Sequence, residues 1–113
     1  MIVLRLGVEP TDVELDQRNR VKLTVSATNA GMEMVDPELM RTQLRVNGEP
    51  SMAFAEAVAN GRRPEKWFAL AAGDTVSMTW SALGAFVLPG PGEHTLVLAL
   101  DDQQSEPVTV TVR

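Results

Sequence analysis

Apolar and polar residues alternate one by one along this chain, and no other feature constrains its fold as strongly. In residues 20–29 the apolar side chains are Val21, Leu23, Val25 and Ala27, and polar side chains stand between them. Successive side chains of a β-strand point to opposite faces, so a period of two predicts a strand with one buried face. The same reasoning predicts strands over residues 2–8, 40–47, 74–81, 94–100 and 108–112.

Turn-forming residues separate the predicted strands. Asn47-Gly48 stands where a two-residue hairpin turn requires positive φ at both positions. Pro89–Gly92 lies outside any central strand, because proline cannot donate to a β-ladder. Seven to eight short strands in 113 residues predict an all-β fold, a two-sheet antiparallel immunoglobulin-like sandwich that allows one short helix. We expect Trp80 to be the core aromatic between the two sheets.

Two segments leave the secondary structure open. Residues 51–60 are rich in alanine, and the spacing of Phe54 and Val58 is typical of a helix capped by Ser51. The same residues also alternate with period two between two Asn-Gly turns, and this slightly favours a strand. A helical turn is further predicted to begin at Asp36-Pro37.

The length and composition limit the classes of protein. The 113 residues, 44% of them hydrophobic, predict a single domain over residues 1–113. Cysteine is absent, which excludes disulfides, thiolate zinc sites and cysteine nucleophiles. A net charge of -5 argues against nucleic acid or an anionic membrane as partner. No apolar run reaches the roughly 18–20 residues that span a bilayer, and the compartment stays open, with the cytoplasm favoured over a mature secreted form.

Few residues are available for catalysis. His94 is the sole histidine, and the sequence lacks G-x-S-x-G, P-loop and G-x-G-x-x-G motifs. We expect His94 to be half-exposed at the start of a strand, without a catalytic role. Asp101-Asp102 is interpreted as a solvated pair in a hairpin turn rather than a metal site. The sequence therefore predicts neither an enzyme nor a cofactor.

The segment 60–67 carries the candidate binding residues. Arg62, Arg63, Lys66 and Trp67 lie together in a turn-rich loop, and arginine and tryptophan are enriched at interaction hot spots. The alternative, which the sequence favours, is that the three cations are solvated loop charges and Trp67 packs at the edge of the sandwich.

Four segments of the C-terminal half, residues 67–113, form a recognisable layout: Leu70–Asp74, the strand Val76–Trp80, the strand opening Pro91–Leu96 and the final Ser105–Val108. In these segments the chain resembles small bacterial immunoglobulin-like domains. It is a resemblance to fibronectin-III-like modules and, more loosely, to the bacterial intracellular proteinase inhibitor family. His94 replaces the tyrosine usual in that pattern. The inhibitor resemblance implies a function carried by loops that occupy a protease cleft.

Three functions are compatible with these observations. The leading hypothesis is a non-enzymatic immunoglobulin-like module that binds a protein partner through loops or an edge strand. The first alternative is an intracellular protease inhibitor, and the second is a carbohydrate-binding module that uses Trp67. The chain is expected to be a monomer or an edge-strand dimer.

Overall fold

Two β-sheets make up the framework of the protein. The computed structural model describes residues 1–60 and 63–113. Nine strands fall within those residues: β1 (Ile2–Glu9), β2 (Asp12–Val13), β3 (Lys22–Asn29), β4 (Gln43–Val46), β5 (Glu49–Pro50), β6 (Thr75–Trp80), β7 (Gly92–Leu100), β8 (Gln103–Gln104) and β9 (Val108–Val112). Two α-helices, α1 (Met52–Ala59) and α2 (Gly84–Val87), and 3₁₀ turns at Leu15–Arg20, Leu39–Arg41 and Glu65–Trp67 complete the described elements.

The order of the strands is that of an immunoglobulin-like sandwich. One sheet has the order β1-β3-β6, with both pairs antiparallel. The other has the order β2-β9-β7-β4-β5, and β8 also pairs with β7. The chain changes sheet at Pro10, since β1 pairs with β3 whereas β2 pairs in parallel with β9. The predicted all-β, two-sheet fold class is confirmed.

The alternation seen in the sequence produces the core between the sheets. In β3, Leu23, Val25 and Ala27 are buried, and the residues between them are partly exposed. Leu96 and Leu98 of β7 face them from the other sheet and are fully buried. Branched and aliphatic side chains on both inner faces therefore interdigitate, as expected of a β-sandwich.

The predicted strand over 40–47 is shorter in the structure. The chain first makes the 3₁₀ turn Leu39–Arg41, and β4 begins at Gln43. The helical turn expected at Asp36-Pro37 also begins later, because Asp36 Oδ1 accepts the Glu38 N–H at 2.8 Å and closes a local turn first. Asn47 and Gly48 adopt φ values of 53° and 87°, as the predicted hairpin requires.

The slight preference for a strand over 51–60 was wrong. Residues Met52–Ala59 form helix α1, and the Ser51 side chain accepts the Phe54 N–H at 3.2 Å. Phe54 and Val58, four residues apart, occupy one face of the helix and are both 1% exposed. Burial of this face decided between the two periods, because a strand would have placed the exposed Glu56 on the same face as the buried Phe54 and Val58.

The aromatic positions also differ from expectation. Trp80 packs against the core but remains partly exposed, since it lies on the edge strand β6. Its ring meets Phe54 of α1 edge-on, with centroids 5.6 Å apart. Trp67 is instead the fully buried tryptophan, at 1% exposure.

Gly84, the first residue of α2, allows this helix to approach the chain before β3. A Cβ atom at Gly84 would collide with the carbonyl oxygen of Arg18 and lie 2.7 Å from Cβ of Val21. Gly84→Ala is therefore expected to lower the free energy of unfolding by about 2–3 kcal/mol through overpacking. Urea denaturation measures the loss. Gly90→Ala is the matched control, since nothing lies within 4 Å of its Cβ position, and equal stability of the two variants would contradict the prediction.

Candidate functional site

Trp67 lies inside the molecule rather than on a binding surface. It ends the 3₁₀ turn Glu65–Trp67, and its side chain belongs to the core cluster. An exposed indole could stack on a sugar or fill a partner's pocket, but at 1% exposure Trp67 has no open face. Its contribution is therefore to the packing of the sandwich.

Arg63 holds together the end of α1 and the Trp67 turn. Its Nη2 donates to the carbonyl oxygens of Ala57, at 2.8 Å, and of Val58. These carbonyls belong to the last turn of the helix, where carbonyl groups lack a partner within the helix itself. The guanidinium carbon also lies 5.8 Å from the centroid of the Trp67 ring. Arg62, the neighbouring candidate, lies outside the described residues.

Lys66 joins the loop to the start of β6. Its Nζ lies 2.9 Å from Oδ2 of Asp74. The hydrogen bond from Lys66, and after it the one from the Thr75 N–H, lower the pKa of Asp74 from its ordinary value of 3.8. Both side chains are substantially exposed, and such pairs contribute little to stability. Arg63, Lys66 and Trp67 thus all have contacts within the chain, and their binding role stays a prediction.

His94 is buried rather than half-exposed. It is 7% exposed, because it lies on the inward face of β7 beneath two loops. Its Nε2 lies 2.7 Å from the carbonyl oxygen of Gly90, and Nδ1 lies 3.0 Å from Nδ2 of Asn47. The Asn47 Oδ1 accepts the Thr95 N–H at 2.9 Å, so its amide nitrogen donates to Nδ1 and Nε2 carries the proton. Both ring nitrogens therefore connect the two loops.

Two further arginine side chains, Arg41 and Arg45, lie just before and within strand β4. Arg41 lies in a 3₁₀ turn and pairs with Asp101 at 2.5 Å and with Glu38 at 3.0 Å. Asp101 has a φ of 54° in the turn between β7 and β8, in agreement with its interpretation as a turn residue. Arg41, Gln43 and Arg45 line a polar cavity of about 300 Å³.

The sequence reasoning missed the most exposed aromatic side chain among the described residues. Phe86 in α2 is 75% exposed, and Met52 at the start of α1 is 73% exposed. Both line a cavity of about 480 Å³, together with Pro50, Ala53 and Pro89. We call this surface the apolar end. In the sequence, Phe86 was hidden in an apolar run that resembles core, and no local pattern shows it to be exposed.

A cavity of about 380 Å³ extends the apolar end towards β6. Its lining includes Trp80, Leu83 and, again, Phe86. Phe86 therefore lines both apolar cavities, which we call the two hollows. Glu49 lines the larger hollow and places a negative charge at its rim.

The outer face of the three-stranded sheet carries a second surface, a ladder of hydroxyl groups. Thr24, Ser26 and Thr28 of β3 face Thr79, Ser77 and Thr75 of β6, respectively. The three pairs of oxygens are 3.0, 2.7 and 2.7 Å apart. We call these six residues the hydroxyl ladder. Each hydroxyl already has a hydrogen-bond partner, as is favourable on a pleated face.

Neither a membrane-spanning helix nor a cluster of metal-ligating side chains occurs among the described residues. Over 1–60 and 63–113, no helix has the length and apolar character needed to cross a membrane. In the same residues, His, Asp and Glu side chains nowhere form a group of three or more that could hold a metal ion.

Fold and surface together define a two-sheet immunoglobulin-like domain with an apolar end. Among solved structures, the chain is similar to the CARDB domain of a protein from Pyrococcus furiosus, which was crystallised in complex with di-metal ions. The two chains are 12% identical with a TM-score of 0.55, and the match covers 99% of this chain and 92% of the other. This similarity concerns the fold. Neither a protein-family model nor a curated protein sequence matches the chain, and the resemblance to the proteinase inhibitor family finds no support.

Proposed function

We propose that residues 1–113 form one non-enzymatic immunoglobulin-like module that binds another protein through the apolar end. The observation that carries the proposal is the exposure of Phe86 and Met52, at 75% and 73%, on two adjacent helices. Contiguous exposed apolar patches mark interaction sites, and phenylalanine and methionine are enriched at protein interfaces.

The surroundings of the apolar end indicate the chemistry of the partner. The hollows on either side of Phe86 are open and lined mainly by apolar side chains. Glu49 adds a negative charge at the rim, and the chain has a net charge of -5. We therefore propose a partner that inserts an apolar side chain beside Phe86 and presents a basic side chain to the rim.

The test compares two double variants matched in chemistry. Met52→Ser with Phe86→Ser removes the apolar end. Met32→Ser with Phe68→Ser changes the same residue types at the opposite end of the sandwich, where they are 95% and 48% exposed. A partner captured from lysate of the source organism is expected to bind the wild type and the control, and to bind the first variant at least about tenfold more weakly.

Three results would overturn the proposal. Equal binding by both double variants would exclude the apolar end, and loss on Arg62→Ala with Lys66→Ala would move the surface to the 60–67 loop. Turnover of a substrate by the purified protein, abolished by one polar substitution, would contradict a non-enzymatic function.

A further inference from the structure

Strand β6 forms a long edge of its sheet that lacks the usual protection. It pairs with β3 and with no other strand among the described residues. Its sequence, TVSMTW, contains no charge, proline or glycine. Natural edge strands are commonly short or carry charges that oppose pairing. The edges β2 and β5 have two residues each, and β1 carries Arg5 and Glu9.

The backbone of β6 directs alternate residues towards this open edge. The Asn29 N–H donates to the carbonyl oxygen of Asp74 at 3.0 Å, so Asp74 faces β3. In an antiparallel ladder this orientation repeats every second residue, and the backbone groups of Thr75, Ser77 and Thr79 therefore point away from β3. Consistently, the Thr75 N–H donates to the Asp74 side chain at 3.0 Å.

The side chains of the same three residues form the outer row of the hydroxyl ladder. Thr75, Ser77 and Thr79 are all exposed. The row Thr-x-Ser-x-Thr reads the same in both directions, with Ser77 at its centre. Strand β3 carries the same row in Thr24, Ser26 and Thr28, and it already pairs with β6 in antiparallel orientation. Within one chain, therefore, a Thr-x-Ser-x-Thr row on β3 already pairs in antiparallel orientation with the same row on β6.

We propose that β6 of a second copy of this chain adds to the open edge, antiparallel and with Ser77 on the two-fold axis. Ser77 then faces Ser77 of the partner subunit, and Thr75 faces Thr79 of the partner subunit. The central pair exchanges two backbone hydrogen bonds, and the two three-stranded sheets become one. No like charges meet along the strand, because β6 carries none.

Two features make this dimer weak. Pairing of one six-residue strand buries far less than the roughly 800 Å² per partner typical of stable interfaces. The Asp74 carboxylate, held by Lys66, also occupies the Thr75 N–H at one end of the edge. We therefore expect the protein to dimerise at total concentrations on the order of 0.1–1 mM. At a total concentration on the order of 1 µM we expect it to be monomeric.

Analytical ultracentrifugation of the full chain over that range tests the inference. Ser77→Lys places two like charges on the two-fold axis and is expected to weaken dimerisation at least about tenfold. Thr24→Lys adds the same charge to the same face, one strand in from the edge and opposite Gly7, and is expected to dimerise like the wild type. Ser77→Pro removes the central backbone donor at the open edge, leaves the backbone hydrogen bonds to β3 in place, and is expected to weaken dimerisation as well.

A wild type that stays monomeric at 1 mM overturns the inference, and so does a dimer that survives Ser77→Lys or is lost equally with Thr24→Lys. Far-UV circular dichroism confirms that each variant is folded. The variant Met52→Ser with Phe86→Ser is expected to keep the dimer, so that failure of this inference and failure of the proposed function remain distinguishable.

Discussion

Trp67→Ala is expected to lower the free energy of unfolding by about 3–5 kcal/mol, the range for a buried aromatic replaced by alanine. The indole fills the interior at 1% exposure, and its removal would leave a cavity and take away the ring over which Arg63 lies. Urea denaturation followed by far-UV circular dichroism measures the loss without depending on the missing fluorophore.

Phe86→Ala is the control for this substitution. Its ring is 75% exposed, so the change is expected to alter stability by no more than about 0.5 kcal/mol. A Trp67 variant that loses less than about 1 kcal/mol would contradict the buried position. Because a destabilised Trp67 variant would lose any partner indirectly, binding tests of the 60–67 loop should change Arg62 and Lys66 and leave the tryptophan in place.

Asn29→Ala is expected to destabilise the protein by about 3 kcal/mol or more. Asn29 is fully buried, and its Nδ2 donates to the carbonyl oxygens of Glu33, at 2.7 Å, and Leu70, at 2.9 Å. Its Oδ1 accepts the Gly31 N–H at 2.9 Å. Alanine removes three hydrogen bonds, and each backbone group left unpaired costs on the order of 1–3 kcal/mol where water cannot replace the amide.

Asn60→Ala provides the matched control for Asn29. The Asn60 amide is exposed, and its Nδ2 donates to the carbonyl oxygen of Glu56 at 2.8 Å. Water can replace it, so we expect a loss below about 1 kcal/mol. Asn29→Asp tests the direction of the hydrogen bonds, since carboxylate oxygens would face two carbonyl oxygens, and this variant should be no more stable than Asn29→Ala. Similar stabilities of Asn29→Ala and Asn60→Ala would contradict the assignment.

Asn29 also supports the open edge that the dimer would use. Its backbone N–H pairs with Asp74 just before β6 begins, and its side chain holds the loop that leads away from β3. The backbone N–H of Asn29 is thus the first contact between β3 and the chain that enters β6. Tests of dimerisation should therefore leave Asn29 unchanged.

The structure distinguishes residues that are exposed for binding from residues that stabilise the fold, and residue type alone does not. Arginine and tryptophan suggested a binding loop at 60–67, yet Arg63 and Trp67 contact the helix end and the core. The sequence analysis did not predict Phe86 and Met52 as binding residues, yet they are among the most exposed apolar residues of the described chain. Hot-spot composition indicates which residues can bind, whereas only exposure determines which are available.

The sequence by itself determined the longer strands. A period of two is a local property, because each peptide sends successive side chains to opposite faces, and the segments around Val25, Val76 and Val110 show it without reference to the rest of the chain. The Asn47-Gly48 turn was equally local, because its positive φ values depend on the two residues themselves.

Tertiary structure decided the features that depend on contacts between distant parts of the chain. Residues 52–59 satisfy both periods, and they became a helix because Phe54 and Val58 are buried together. Trp67 became the buried tryptophan and Trp80 the partly open one because β6 has a neighbour on one side. The apolar end joins Met52 to Phe86, more than thirty positions along the chain. Such contacts arise from the packing of sheets and helices, and no local sequence pattern encodes them.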